Sequence, residues 1–462
     1  MKLVQNGLKA KDLASIPYVQ PKKMKSYWLQ KSNPTFSQEI KKVNFPIMKK
    51  NFSLADLPSI KPLVDGFKLN GKTVSFDDQL AILTHAGQSQ KSDLTVPYQE
   101  TAQKIFDLWK SKLSTGHDRL QVKDSSPLYL FPELFEPIFK AQPKTKFTFI
   151  DLFAGIGGFR LAMQSCGGRC VFSSEWDDNA KKTYLNNFGE LPFGDITLES
   201  TKACIPDGFD VLCGGFPCQA FSIAGYRKGF EDTRGTLFFD VAEIIKRKRP
   251  KAVYLENVKN LYTHDNGKTF EVIKNTLEEL GYVVYHKVMN AMEYANVPQN
   301  RERIFIVCFD PKQVPNHANF KFPAPVKLTK TIHDCIKDDE DSKELFYSDK
   351  MGHFKDLQEA ITSKDSIYQW RRQYVRENKG HVCPTLTANM GTGGHNVPLI
   401  LTDAGIRKLS PKECINFQGY PVKYEFPKGM SNAAKYKQAG NSVVVPLITR
   451  VSQNIISVIS GG

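Results

Sequence analysis

The sequence predicts a doubly wound α/β sheet. Three observations predict it. Short, mostly apolar runs recur at Phe147–Gly155, Cys170–Trp176, Phe209–Gly215, Ala252–Val258 and Arg303–Phe309, the pattern of strands buried on both faces. Segments of helical periodicity separate them, at Phe159–Cys166, Thr236–Lys248 and Lys268–Leu280. Several of the apolar runs end in glycines or carboxylates, and the carboxyl ends of strands are where open α/β sheets hold their ligands.

Taken in order, the chain begins with a Lys-rich stretch, residues 1–145, in which Pro17, Pro21, Pro34 and Pro46 interrupt any long helix. The first 50 residues hold eleven lysines against Asp12 and Glu39, a surplus of +9. Residues Gln99–Lys112 place Ala102, Ile105, Phe106, Leu108 and Trp109 at the spacing of an amphipathic helix. Pro143–Lys146 reads as a linker, and the α/β alternation follows it. Beyond Pro311 the alternation fades into a polar, loop-rich region. There Asp338–Glu344 reads as a solvated acidic loop. Ile367–Arg376 interleaves Arg371, Arg372 and Arg376 with Trp370 and Tyr374, which suits either phosphate contact with stacking or an amphipathic helix with an arginine face.

A chain of 462 residues is expected to form two or three domains. Its net charge of +15 suits a polyanionic partner. No run approaches the roughly 20 apolar residues of a membrane span, and Lys9, Lys11 and Asp12 stand where a signal peptide needs its apolar segment. Nine cysteines without a CxxC pair point to a reduced, cytoplasmic protein without a structural metal.

Two constellations carry chemistry. Gly155-Ile156-Gly157-Gly158 closes a strand and opens a helix, and Glu175 follows Gly155 by 20 positions at the end of the next strand. Backbone N–H groups at such a turn can meet an anionic group, and such a carboxylate can accept ribose hydroxyls. Asp195 can hold an adenine amino group. These features fit NAD as well as S-adenosylmethionine. The loop Gly214–Gly225, GGFPCQAFSIAG, then sets Cys218 beside Pro217 at a strand's carboxyl end, an exposed placement for a thiol. Cys204, Cys213, Cys308 and Cys414 read instead as small buried hydrophobes. Glu256 ends the strand AVYLENV, and Arg301 and Arg303 alternate in QNRERIF.

With DLFAGIGGFR, FPCQAFSIAG, ENVKN, QNRERIF, RKLSPKECINFQGYP and YKQAGNSVVVPL in this order, the chain resembles the DNA (cytosine-5-)-methyltransferase family, in its short bacterial restriction–modification type. The likeness runs from Phe147 to the end, leaving residues 1–145 outside it. It implies a Rossmann-like S-adenosylmethionine-dependent methyltransferase domain at 146–311 plus 432–462, a smaller loop-rich target-recognition domain at 312–431, and an N-terminal extension at 1–145. Cys218 would add to carbon 6 of the target cytosine, Glu256 would share a proton with N3, Arg303 would hold the base's carbonyl and Arg301 would support the catalytic loop. Phe153, Gly155, Gly157, Glu175, Trp176, Asp195, Ile196, Pro217, Leu237, Asn441 and Val443 would line the S-adenosylmethionine pocket. Ser222 and Arg234 would touch phosphates beside a flipped base; Thr385 and Thr387, before the Gly391–Gly394 loop, are expected at the DNA backbone.

The resemblance implies double-stranded DNA as partner, and nothing in the sequence calls for a membrane, a metal or a second protein; the chain is expected to act as a monomer. A dehydrogenase has no use for the Pro-Cys-Gln loop. A tRNA cytosine methyltransferase would carry a Cys-Phe-Thr element that is missing here. A solitary or phage DNA methyltransferase shares every motif with a restriction–modification enzyme. The favoured expectation for residues 1–145 is an accessory DNA-binding arm, the alternatives being a repressor module and a packing layer on the sheet.

Overall fold

The computed structural model describes residues 57–69, 72–88, 94, 96–113, 137–140, 144–217, 237–337 and 343–461, apart from 372, 391 and 393–395. The expectations for the basic first 50 residues, Cys218, Ser222, Arg234 and most of the Gly391–Gly394 loop lie outside the described residues.

Among these residues the main sheet has six strands: β3 (Phe147–Leu152), β4 (Gly168–Ser174), β5 (Val211–Gly214), β6 (Ala252–Val258), β7 (Val283–Asn290) and β8 (Glu302–Phe309), in the order β4-β3-β5-β6-β8-β7. β3 to β6 run parallel to one another, whereas β8 is antiparallel to both β6 and β7. The sequence missed β7. It is half-buried along most of its length at the sheet edge, and VVYHKVMN shows neither a continuous apolar run nor strict alternation.

The strands divide their side chains between two cores with the period of two that a pleated strand imposes. Phe149, Val211, Cys213, Ala252 and Tyr254 enter one core. Ile150, Leu212, Val253 and Leu255 enter the other. On the first face lie α4 (Gly158–Ser165) and the C-terminal α10 (Val445–Ile459). On the second lie α6 (Leu237–Lys248) and α7 (Lys268–Glu279). The same second core takes Leu80, Leu83, Ile105, Phe106 and Trp109 from α2 (Phe76–Gln88) and α3 (Val96–Leu113), which follow α1 (Leu57–Val64) and the hairpin β1 (Phe67–Leu69)–β2 (Lys72–Val74). Residues 57–113 therefore share the apolar core of the sheet. Between β4 and the next strand, α5 (Asp178–Phe188) is capped by the Asp177 side chain, which accepts from the N–H groups of Asn179 and Ala180.

The region after Pro311 contains a second sheet, four strands in the order β10-β9-β11-β12: β9 (Ile367–Trp370), β10 (Val375–Asn378), β11 (Leu399–Thr402) and β12 (Gly405–Lys408). Ile367–Arg376 is thus a β-hairpin, which corrects the helical alternative. Ile367, Tyr368 and Trp370 are all buried, and only a strand packed on both faces buries such a continuous run of β-branched and aromatic residues here. α8 (Pro411–Asn416) opens with a capping box of Ser410 and Glu413. Glu413 also makes a buried bidentate pair with Arg407 of β12, which ties this helix to the second sheet.

The most apolar helical stretch, Asn432–Ile459, has the length and composition of a membrane span. It breaks at Ser442, between α9 (Asn432–Asn441) and α10, and Val451, Ile455 and Val458 lie in the core against α4, as in a buried core helix. Cys213, Cys308 and Cys414 are buried as expected, while Cys204 is half-buried.

Candidate active site

Parallel register brings the strand ends level: Leu152 pairs with Ser174 and Gly214, and Gly214 pairs with Leu255. The residues that follow, Phe153, Glu175, Gly215 and Glu256, therefore meet at one edge and line a cleft of about 650 Å³, the size of a small-molecule site. The turn after β3 is tightly shaped. Phe153 and Gly155 both have φ 54°, and a non-glycine residue held there marks a constrained loop. Gly157, with φ 81°, could carry no side chain, because a Cβ would lie 2.2 Å from the Phe188 ring.

Glu175 is built into this turn. One carboxylate oxygen accepts the Gly155 N–H at 2.8 Å, and the other accepts the N–H groups of Trp176 and Asp177 at 2.9 and 2.8 Å. Burial pushes its pKa up, and these three backbone donors oppose the shift. Trp176, beside it, is 78% exposed and faces the cleft with Asp195, Ile196, Pro217 and Leu237. Asn441 and Val443 close the opposite side. Of the proposed pocket residues, Gly157 alone does not line the cleft; its place is in the packing against Phe188. A ligand with a nucleoside and a charged tail fits these groups: a carboxylate and an exposed indole at one end, a glycine turn in between.

The catalytic candidates gather at the cleft's far end. β8 runs opposite to β6, so Arg303 lies opposite Val258 and reaches back to Glu256, its Nε donating to Oε1 at 3.1 Å. Burial raises the pKa of Glu256, and the charges of Arg303 and Arg301 act against it. Pro217, the last described residue before Cys218, lines the same cleft. Asn257 donates to the Phe216 carbonyl at 2.8 Å and so anchors the start of the cysteine loop. Sequence reasoning passed over Asn257, although it stands inside the quoted ENVKN block. It also passed over Tyr420 and Lys437. Tyr420 meets the Ser442 hydroxyl at 2.5 Å, and Lys437 pairs with Asp177 at 2.6 Å across the cleft wall. Both lie in quoted C-terminal blocks, but their partners are more than 20 residues away in the chain.

Arg301 is buried and bonded entirely to carbonyls. Its guanidinium donates to Leu386 at 2.8 Å, Ser442 at 2.6 Å and Gly440 at 3.2 Å. Thr385 donates its hydroxyl to the Asn300 carbonyl at 2.6 Å, and Thr387 to Asn389 at 2.6 Å. A Cβ on Gly440 would lie 2.1 Å from the Thr387 backbone. The segment 385–388 is thus stitched between Asn300–Arg301, just ahead of β8, and Gly440 of α9. Arg301→Lys is expected to lower stability by about 2 kcal/mol, because one ammonium group cannot serve three carbonyls in fixed directions. Urea denaturation would show the midpoint falling, and binding of cofactor and of DNA should weaken together.

The description C-5 cytosine-specific DNA methylase matches residues 147–457. Among curated proteins, the type II methyltransferase M.Bsp6I of Bacillus sp. (strain RFL6) is 52% identical over 309 residues, covering 66% of this chain and 97% of that protein. M.HpaII of Haemophilus parainfluenzae is 47% identical, covering 70% and 93%. M.HhaI of Haemophilus parahaemolyticus is 44% identical, covering 68% and 96%. The crystal structure of the S. pombe Dnmt2 methyltransferase shares the fold with TM-score 0.51 at 18% identity, covering 68% of this chain and 98% of that one.

Proposed function

The chain belongs to the C-5 cytosine-specific DNA methylase family, and from that premise we propose that it methylates carbon 5 of a flipped-out cytosine within a specific double-stranded DNA sequence, with S-adenosylmethionine as donor. The observation that carries the reading is the Glu256–Arg303 pair at the cleft end beside Pro217. S-adenosylmethionine, when bound, supplies an electrophilic sulfonium methyl group. Glu175, Trp176 and Asp195 would hold its nucleoside, with Phe153, Gly155, Ile196, Leu237, Asn441 and Val443 around it.

Carbon 5 of cytosine is a poor nucleophile until a thiolate adds to carbon 6. Cys218 forms that bond, and the electron pair moves through the ring to carbon 5. Negative charge develops towards N3 as this happens. Glu256, whose burial favours its protonated form against the pull of Arg303 and Arg301, shares a proton there, while Arg303 orients Glu256 and faces the base's carbonyl oxygen. Carbon 5 would take the methyl group that bound S-adenosylmethionine supplies; loss of the carbon-5 proton to a base, return of the N3 proton to Glu256 and elimination of Cys218 then release 5-methylcytosine. The ring is unreachable inside a duplex, so the base is flipped out. Ser222, Arg234, Thr385 and Thr387 are proposed DNA contacts. Residues 146–311 with 432–462 are proposed as the catalytic domain, and 312–431 as the recognition domain. The type II names of the relatives support a modification role; the enzyme is proposed to act as a monomer in the cytoplasm, beside a restriction endonuclease.

Bisulfite sequencing of DNA from a host without cytosine methylation tests this. Expression of the chain should leave one cytosine unconverted in every copy of one short sequence. Full conversion with soluble protein present would overturn the proposal.

A further inference from the structure

Residues 57–113 lie outside the matched 147–457, yet a hydrogen bond, a ring cluster and a close carboxylate join them to one loop of the matched part. That loop, residues 189–197, follows α5 and passes beside β4, the edge strand of the main sheet among the described residues. On its inner side it makes a single bridge to the strand: Phe193 N–H donates to the Ser173 carbonyl, and its own carbonyl accepts from Glu175 N–H, both at 2.9 Å. Asp195 and Ile196 then face the cleft.

On its outer side the loop is held by α2 and α3. Leu191 N–H donates to the Thr84 hydroxyl at 3.0 Å in a buried setting. Thr84 spends its own proton on the Ala81 carbonyl at 3.0 Å, so its oxygen faces Leu191 as an acceptor. The Phe193 ring packs against both His85 and Tyr98, with centroids 5.0 and 5.8 Å away, and the Tyr98 hydroxyl, beyond the loop, donates to the Cys204 carbonyl and so fixes that ring. The Glu190 carboxylate, 3.7 Å from His85 Nε2, forms a buried bidentate pair with Arg160 of α4 at 2.6 and 2.9 Å. α4 is the helix opened by the glycine turn of the cleft, so both the loop and that turn bear on the same buried cluster.

We propose that α2 and α3 are a positioning element of the cofactor site. They hold from outside the loop that presents Asp195 and Ile196, so S-adenosylmethionine affinity depends on Thr84 and Tyr98, which touch neither the cleft nor the reacting atoms. The inference rests on reading the cleft as the S-adenosylmethionine site. Its physical basis is the edge position of β4. A loop bridged to an edge strand on one side only drifts unless its other side is packed and its buried N–H is satisfied.

The test uses the full chain and titration calorimetry with S-adenosylmethionine. Thr84→Val keeps the shape and removes the acceptor of Leu191 N–H. It should raise Kd about 10-fold, the order expected when a buried donor loses its partner, and raise KM for S-adenosylmethionine likewise. At saturating cofactor, kcat on plasmid DNA should stay within about twofold. Tyr98→Leu, which removes the ring beside Phe193, should act in the same direction, and Thr84→Ser should restore wild-type binding. Trp109→Phe is the control. It loosens the same layer by removing the indole bond to Gln79, whose other side-chain bonds go to Val64 and Val74 and not to the loop, and should lower the thermal midpoint without moving Kd. The proposal is overturned if Thr84→Val and Tyr98→Leu bind cofactor as wild type does, or if Trp109→Phe weakens binding equally. Wild-type protein that binds no S-adenosylmethionine would instead overturn the reading of the cleft itself.

Discussion

Replacing Cys218 by serine should reduce methyl transfer by about 10⁴-fold or more, since the nucleophile takes part in the bond that makes carbon 5 reactive. A hydroxyl has the size of the thiol but is protonated at neutral pH. Docking should survive, because the cleft is formed by strand ends and by the C-terminal helices rather than by this side chain. The measurement is tritium transfer from labelled S-adenosylmethionine to plasmid DNA, with duplex binding followed in parallel. The wild-type enzyme offers a complementary result. DNA carrying 5-fluorocytosine at the target has no carbon-5 proton to lose, so enzyme and DNA should stay covalently joined after methyl transfer. An active wild-type enzyme that forms no such complex would count against the thiolate.

Glu256→Gln should lower kcat by roughly 10²–10⁴, the range of a general acid or base. The pH profile separates this role from a structural one. Burial raises the pKa of Glu256 against the pull of Arg303 and Arg301, so its protonated form persists to higher pH than an ordinary carboxyl allows. The donor is present below the raised value and is lost as pH rises through it. Wild-type kcat should therefore fall on the alkaline side. In the glutamine variant that limb should vanish, leaving a low, flat rate, because an amide does not titrate. A variant that turns over like wild type would make Glu256 a structural partner of Arg303 and nothing more.

The cleft was legible in the sequence to the extent that its residues sit in short contiguous blocks. Glycines that end an apolar run, a carboxylate at the end of the next run and a cysteine after proline keep their meaning wherever the chain folds, because each is set by local backbone geometry at a strand's end. Asn257 and Tyr420 were less legible. Asn257 matters through the Phe216 carbonyl, 41 positions away, and Tyr420 through Ser442, 22 positions away, and no local pattern announces either partner. The hairpin at Ile367–Arg376 was ambiguous for a related reason. Its arginines suit a helix face or a turn equally, and burial of Tyr368 and Trp370 in the second sheet decides between them.

By itself the sequence determined the α/β class, the candidate reacting groups and the order of the blocks that carry them, since strand burial and side-chain chemistry are properties of short segments. Two matters were decided by tertiary structure. A parallel β8 would have sent Arg301 and Arg303 to the far edge of the sheet. Its antiparallel pairing with β6 turns the beginning of the strand towards the carboxyl ends and sets Arg303 against Glu256. The other is the place of α2 and α3, which periodicity shows to be amphipathic without saying what they cover. Their apolar faces could bury only against a surface already assembled from segments far along the chain, and that surface is the second core of the sheet and the loop at its edge.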